Sequence, residues 1–191
     1  MEYPNWFNYT AKGNFEKFLP QLATRTLGLR CLQLGVYTGD ASLWLAQNIL
    51  TNKTSFLIDV DTWKGSDEDA HHEMDFEDVY NTYLKKISEY KQIISKRSTT
   101  IDYLVNSGHY TNYDFIYIDA DHTTVGVLVD AELSWRILSV GGIMAFDDYT
   151  WGQELPPHLA PALGIDLFLE RHEGEYETLE VGQQYWIRRT K

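Results

Sequence analysis

Carboxylates gather at two points in the chain where apolar runs stop. Asp119-Ala120-Asp121-His122 follows the run Asp114–Ile118, and Asp147-Asp148 follows Ile143–Phe146. If both runs are neighbouring strands of one sheet, about 4.8 Å apart, these acids are thrown together. Like charges at such spacing repel and raise one another's pKa. A hard divalent cation relieves the repulsion, and oxygen donors suit magnesium, manganese or calcium rather than zinc. Asp119, Asp147 and Asp148 therefore form a candidate metal site. The alternative is that they face solvent or cap helices, and Asp121 is placed to cap a helix starting at Thr123.

A second feature lies upstream. The segment Gln33-Leu34-Gly35-Val36-Tyr37-Thr38-Gly39 follows an apolar run and carries two glycines four residues apart. Such a turn lets a ligand approach the backbone beside a helix N-terminus. It does not meet the G-x-G-x-x-G spacing of dinucleotide binders. Asp59-Val60-Asp61 closes the next apolar run, where one carboxylate can accept both hydroxyls of a ribose; the spacing does not say which. In His71-His72-Glu73, adjacent histidines on a helix point about 100° apart, so a polar face or a substrate lid suits them better than a shared metal. Cys31 sits inside an apolar run and reads as core.

These residues need elements to position them. Phe15, Phe18, Leu19 and Leu22 give residues 11–25 helical spacing, with a bend at Pro20. Strands are expected over 29–34, 55–60, 114–118 and 143–146, with a short one around Gln92-Ile93-Ile94. Helices are expected over 39–50, from a capping box at Ser66 to before Gln92, over 101–105, over 123–138 and over 165–171. Gly141-Gly142 reads as the stop of the helix over 123–138. Residues 178–181 and 184–188, split by Gly182, read as an antiparallel hairpin. Strands alternating with helices imply an α/β fold with a parallel sheet, whose function sits at the strands' carboxyl ends.

Composition narrows the function. The chain has 191 residues, a length that suits one domain. It carries 16 basic and 28 acidic residues, a net charge of −12. That argues against nucleic acid or an anionic membrane as partner, since both are held by Lys/Arg surfaces. One cysteine excludes an intrachain disulfide and makes a cytoplasmic setting the default. No apolar run approaches the ~18 residues of a membrane span, and the first ten residues show no secretory pattern. Aromatics make up 14% of the chain, which suits either core packing or an aromatic-walled pocket.

The runs LQLGVYTG (32–39), IDVDTWKGS (58–66), YDFIYIDADH (113–122) and LSVGGIMAFDDYTWG (138–152), with the closing hairpin, carry a resemblance. The chain resembles the class I S-adenosylmethionine-dependent methyltransferases, in particular the small metal-dependent O-methyltransferases of the catechol, caffeoyl-coenzyme A and antibiotic-sugar type. The resemblance implies a Rossmann-like, doubly wound, mostly parallel seven-stranded sheet with a C-terminal antiparallel hairpin. It implies a helical, aromatic lid over residues 1–28 and a methyltransferase domain over 29–191. Gln33, Gly35, Tyr37 and Gly39 would meet the cofactor, Asp61 its ribose with Asp59 as the alternative, and Ser98 its adenine. Asp119, itself also near the cofactor, would hold Mg2+ with Asp147 and Asp148. Asp121, or failing it His122, would be the base. The chain departs from the family with Gln33 in place of a usual Glu and Ala41 in place of a frequent Ser, Ser42 coming one residue later. The expected reaction is methyl transfer to a hydroxyl of a small sugar-like or catechol-like acceptor, by a monomer or a homo-oligomer. The rival readings are a non-catalytic methyltransferase-like subunit and a nicotinamide oxidoreductase.

Overall fold

Alternate residues of the central strands belong to two separate cores, and this fixes a sheet covered on both faces. In β4 (Tyr113–Ile118), Phe115 and Tyr117 enter one core while Ile116 and Ile118 enter the other; in β5 (Leu138–Phe146), Ile143 and Ala145 part from Met144 and Phe146 in the same way. The computed structural model describes all residues except 1–2, 25–26, 67–70, 72 and 107–111. The remaining strands are β1 (Arg30–Leu34), β2 (Phe56–Asp61), β3 (Ile93–Arg97), β6 (Tyr176–Val181) and β7 (Tyr185–Arg189). Their order is β3-β2-β1-β4-β5-β7-β6, parallel through β5 and antiparallel in the β5–β7 and β7–β6 pairs. This is the expected Rossmann-like sheet with its closing hairpin.

The first core takes side chains from α1 to α5: Trp6–Thr10, Lys12–Phe18, Pro20–Ala23, Asp40–Asn48 and Phe76–Ile87. Phe15 is its hub, packing edge-on against Trp44, Phe115, Tyr117 and Trp186 at centroid distances of 5.0–5.6 Å. The second core takes side chains from α6 (Thr100–Asn106), α7 (Thr124–Trp135) and α8 (Ala162–Arg171). Pro20 interrupts the N-terminal helix as expected, standing at the first turn of α3, where its missing N–H costs nothing. Among the described residues, no helix is long and apolar enough to cross a membrane.

Two expectations change. The helix read from Ser66 starts instead at Phe76, where the Asp75 carboxylate accepts from the N–H groups of Glu77 and Asp78. Three of the four residues of the supposed capping box, 67–69, lie outside the described residues. Gly141-Gly142 does not stop a helix. The helix ends at Trp135 and the glycines lie inside β5, where pairing with β4 jumps from Tyr113–Leu138 to Phe115–Ile143. Between these pairs one residue of β4, Asp114, thus faces four of β5, residues 139–142, and Gly141, at φ +80°, takes up the bulge.

The strand order reverses between β1 and β4, and there the two strands' carboxyl ends approach without a side chain between them. Gly35 has φ +81°, and a Cβ on it would lie 1.7 Å from the Asp119 carbonyl oxygen. Asp119 N–H in turn donates to Leu34 O at 2.8 Å. Gly35→Ala is therefore expected to destabilise the fold by about 3 kcal/mol or more. Gly13→Ala, in α2 with nothing within 4 Å of the new methyl, should shift stability by under ~1 kcal/mol. Urea unfolding of both variants checks the contrast.

Candidate active site

The loop from Gln33 to Gly39 is held at several points by its own protein. Asp61, the last residue of β2, accepts from Val36 N–H (2.7 Å) and Tyr37 N–H (3.0 Å) with one oxygen and from Trp63 N–H (2.7 Å) with the other. The Trp63 indole donates to Tyr37 O at 2.9 Å. Tyr37 and Trp63 both have left-handed backbones, at φ +53° and +45°, and these bonds hold them there. Gln33 is buried; its amide donates to Gly35 O at 2.9 Å and accepts from the Ser42 hydroxyl at 3.2 Å. Gln33 thus braces the loop against α4, and Ser42 is its partner. Gly39 starts α4 with φ +76°, where a Cβ would meet the Tyr83 ring at 2.6 Å.

Asp40, in the first turn of α4, gathers the surroundings. Its carboxylate accepts from Thr38 Oγ1 (2.7 Å), Asn5 Nδ2 (3.0 Å) and Lys86 Nζ (2.7 Å). Asn5 leads into α1, whose Trp6 stacks on Tyr37 at 4.6 Å between ring centroids. Trp6 and Phe7 roof a cleft of about 380 Å³, open mouth included, whose floor and walls include Gln33, Val36, Tyr37, Asp119 and Asp147.

At the cleft's other end the strand-end acids divide. Asp119, His122 and Asp148 come together, with ligating atoms within 4.8 Å of one another. His122 Nε2 lies 3.5 Å from Asp119 Oδ1 and 3.3 Å from Asp148 Oδ2, and its ring leans on Trp151 at 5.3 Å. Asp148 adopts φ +56°, which aspartate tolerates better than most residues. Burial raises the Asp119 carboxyl well above the ordinary range, and the charges of Asp147 and Asp148 raise it further against the pull of His122. Asp147 lines the cleft, but its oxygens accept from Tyr117 Oη (2.5 Å) and Gln184 Nε2 (2.9 Å). Asp119 and Asp148 of the expected trio thus converge with His122, and Asp147 lines the same cleft beside them, its charge acting on Asp119.

Asp121 takes the position at the helix start that the sequence offered as its alternative. Its carboxylate accepts from Thr123 N–H at 2.8 Å and fills the space that a Cβ on Gly126 would need. It stands at the start of α7, outside the Asp119–His122–Asp148 cluster. Ser98 lies just after β3, its N–H donating to Asp61 O at 2.9 Å, and so shares a sheet edge with the loop's brace. His72 lies outside the described residues; His71 bonds the Ser66 hydroxyl at 2.7 Å and sits 5.9 Å from Trp6. Asp40, Trp63, Tyr117 and Gln184 carry no role in the sequence reading. Trp63 stands in the IDVDTWKGS run and could have drawn notice; Gln184, 67 residues from Tyr117, gave no signal.

Asp59 is the other conspicuous acid. It is fully buried opposite Gln33 in the β1–β2 register and accepts from Tyr83 Oη at 2.9 Å. Burial pushes its carboxyl up to about 7, against hydrogen bonds from Ser42 and Tyr83 that lower it.

A family described as a methyltransferase domain matches residues 32–149, well over half of the chain. A caffeoyl-CoA O-methyltransferase of Stellaria longipes is 28% identical over 130 residues, covering 64% of this chain and 47% of that protein. The chain spans about half the length of the curated relatives it matches. Among solved structures, the O-methyltransferase TomG of Streptomyces achromogenes, in complex with S-adenosylmethionine, superposes with a TM-score of 0.64 at 15% identity, covering 100% of this chain and 92% of that one. An O-methyltransferase of Bacillus cereus, in complex with S-adenosylhomocysteine, gives 0.62 at 15% identity, covering 100% and 93%. At such identities these structures establish the fold alone.

The Asp59 shift has a definite sign. An unfolded aspartate titrates near ~3.9, so between there and about 7 the folded chain holds a proton that the unfolded chain has lost. Its contribution to stability therefore falls as pH rises through that window and is constant above it. Asp59→Asn, which keeps an acceptor for Tyr83, should flatten this part of the pH–stability curve. Above pH ~7 it should raise stability by up to about 4 kcal/mol relative to wild type. Urea midpoints of both proteins between pH 5 and 8 measure the difference; parallel curves would show that the Asp59 proton is not held.

Proposed function

The chain belongs to the methyltransferase-domain family, and from that premise we propose that it transfers the methyl group of S-adenosylmethionine to a hydroxyl of a small polyhydroxylated acceptor, sugar-like or catechol-like, with help from a divalent cation. The observation that carries this reading is the pairing, across one topological switch point, of a backbone-braced glycine loop with an acid–histidine cluster. The O-methyltransferase relatives support it.

The cofactor's adenosine and methionine parts find fitting partners. Asp61 is the acid for the ribose: it is half-buried at a strand's carboxyl end, whereas Asp59 is sealed beneath the loop. Three backbone N–H groups occupy Asp61, and a carboxylate has about four acceptor sites, so one remains for a hydroxyl. Its second job is to keep Val36 and Tyr37 at the angle that shapes the cleft. Gln33, committed to Gly35 and Ser42, sets the loop and leaves the loop's backbone, with Gly35, Tyr37 and Gly39, to face the methionine end. Ser98 lies at the same edge, on the adenine side.

The donor set at the far end suits a cation: two carboxylates and an imidazole converge on one point, and Asp119 carries a repulsion that a positive charge relieves. Held by these residues, a divalent cation would supply Lewis acidity that lowers the pKa of an acceptor hydroxyl. Trp6 and Phe7 roof the cleft, and Trp151 packs against the His122 ring. Methyl transfer needs the acceptor oxygen in line with the methyl group, and the rigid strand ends beneath Asp119 and Asp147 supply that positioning. Asp119 N–H is tied to Leu34 O and Asp147 N–H to Ile118 O. Asp121 stands outside that acid–histidine cluster, one oxygen on Thr123 N–H at the start of α7, so on this reading it takes no part in removing the proton.

Isothermal titration with S-adenosylhomocysteine tests the reading first: the wild type should bind, and absence of binding would refute it. Asp61→Ala should weaken that binding by about 1.5–3 kcal/mol, the scale of lost charge-assisted hydrogen bonds. A panel of vicinal diols should be methylated by the intact protein and not after chelation, with turnover restored by added cation. Asp121→Asn should change turnover less than about threefold, well short of the ~10²-fold loss expected for a general base.

A further inference from the structure

We infer that Asp59 is a positioning residue for the amino group of the cofactor: acting through the Ser42 hydroxyl, it supplies beside Gln33 the negative charge that Gln33 itself lacks. The inference deepens the reading above and rests on it for the presence of the cofactor.

Gln33 and Asp59 are register partners in β1 and β2. Cys31 and Leu57, two residues earlier on each strand, enter the first core, so side-chain alternation puts Gln33 and Asp59 together on that face. Gln33 lines the cleft, and Asp59 is wholly buried beside it. The Gln33 amide nitrogen donates to Gly35 O, which leaves its carbonyl oxygen on the Ser42 side. That oxygen has two lone pairs, and Ser42 takes one. The other is what Gln33 can offer to an ammonium group at the methionine end, and an amide brings no charge to balance it.

Ser42 connects the two residues. Its hydroxyl has one proton and two claimants. It donates to Gln33 Oε1 at 3.2 Å, beyond the usual O–H···O range of about 2.5–3.0 Å, and it also pulls the Asp59 carboxyl down. Asp59 Oδ2 accepts from Tyr83 Oη at 2.9 Å, while Oδ1 is buried and meets no donor at hydrogen-bonding geometry among the described residues. With Asp59 ionised, the Ser42 proton turns to Asp59 and leaves Gln33 Oε1 open to the cleft. With Asp59 protonated, the Ser42 proton stays on Gln33.

Among the described residues, no cation balances Asp59. The titratable groups that interact with it are Tyr83 from α5, Cys31 from β1 and Asp61 further along β2. α4 contributes Ser42, and β3 contributes Ser95 as the register partner; neither is charged. Asp40 on α4 and Lys86 on α5 are bonded to each other at 2.7 Å at the loop's exit. A buried acid without a cation is costly to ionise. An ammonium group bound over Gln33 is the missing partner, so cofactor binding and ionisation of Asp59 favour each other.

Isothermal titration in buffers of differing ionisation enthalpy, between about pH 5.5 and 7.5, tests this with two ligands, S-adenosylhomocysteine and its analogue lacking the α-amino group. Both enter the same cleft, so their difference isolates the ammonium from every other titrating group. In wild type, binding should bring the Asp59 carboxyl from about 7 to about 6. The affinity of S-adenosylhomocysteine relative to the analogue should then rise about fivefold or more across this range, with about half a proton released near pH ~6.5. Asp59→Asn should abolish both effects, and Ser42→Ala should cut the rise to about twofold or less. Equal pH dependence of the two ligands in wild type would overturn the inference, even if Asp59→Asn failed to fold. So would a rise that survives in Asp59→Asn or stays whole in Ser42→Ala; all three outcomes leave the methyltransferase reading standing. Wild type that binds neither ligand would refute that reading and the inference with it.

Discussion

Everything at the site depends on two backbones touching. At the carboxyl ends of β1 and β4, position 35 and the Asp119 carbonyl are so close that no side chain fits between them. That contact brings the end of the loop-bearing strand against the end of the acid-bearing strand. A larger residue at 35 would push β4 away and open the cleft between the loop and the Asp119 cluster. The glycine that sequence patterns associate with ligand approach is here demanded by the protein's own chain.

Around that contact the molecule concentrates negative charge where it is expensive. Asp59 and Asp119 both sit where burial raises their carboxyls, and Asp130 on α7 is pushed to about 7 by the same cause. Asp59 lies directly beneath the loop, and Asp119 lies in the cleft. Asp61, by contrast, is satisfied by three backbone N–H groups and holds the loop in its left-handed turns. One strand end therefore supplies both a brace and a strained neighbour.

The N-terminal helices close the site from above. Phe15 locks α2 onto the sheet through four aromatic contacts, so Trp6 and Phe7, a few residues upstream, are presented over the cleft rather than left in solvent. Asn5 and Lys86 meet on Asp40, which joins α1, α4 and α5 at the loop's exit. Tyr9, on the same short helix, points to solvent at 85% exposure.

The sequence by itself determined the sheet, its closing hairpin, the glycine turn and the positions of the acids, because apolar runs and turn residues are local signals that survive without their neighbours. It placed Asp119, Asp121, His122, Asp147 and Asp148 at the right strand ends. It did not determine which of them share a site. Adjacent residues at a strand end differ in direction only through the backbone's next turn, and that turn is set by distant partners. Gly126 leaves room for the Asp121 carboxylate, Tyr117 and Gln184 claim Asp147, and a left-handed φ at Asp148 brings its carboxylate to His122. The glycines at 141 and 142 were misread for the same reason. A bulge is a property of the paired strand, and only the Tyr113–Leu138 register reveals that β5 carries the extra residues.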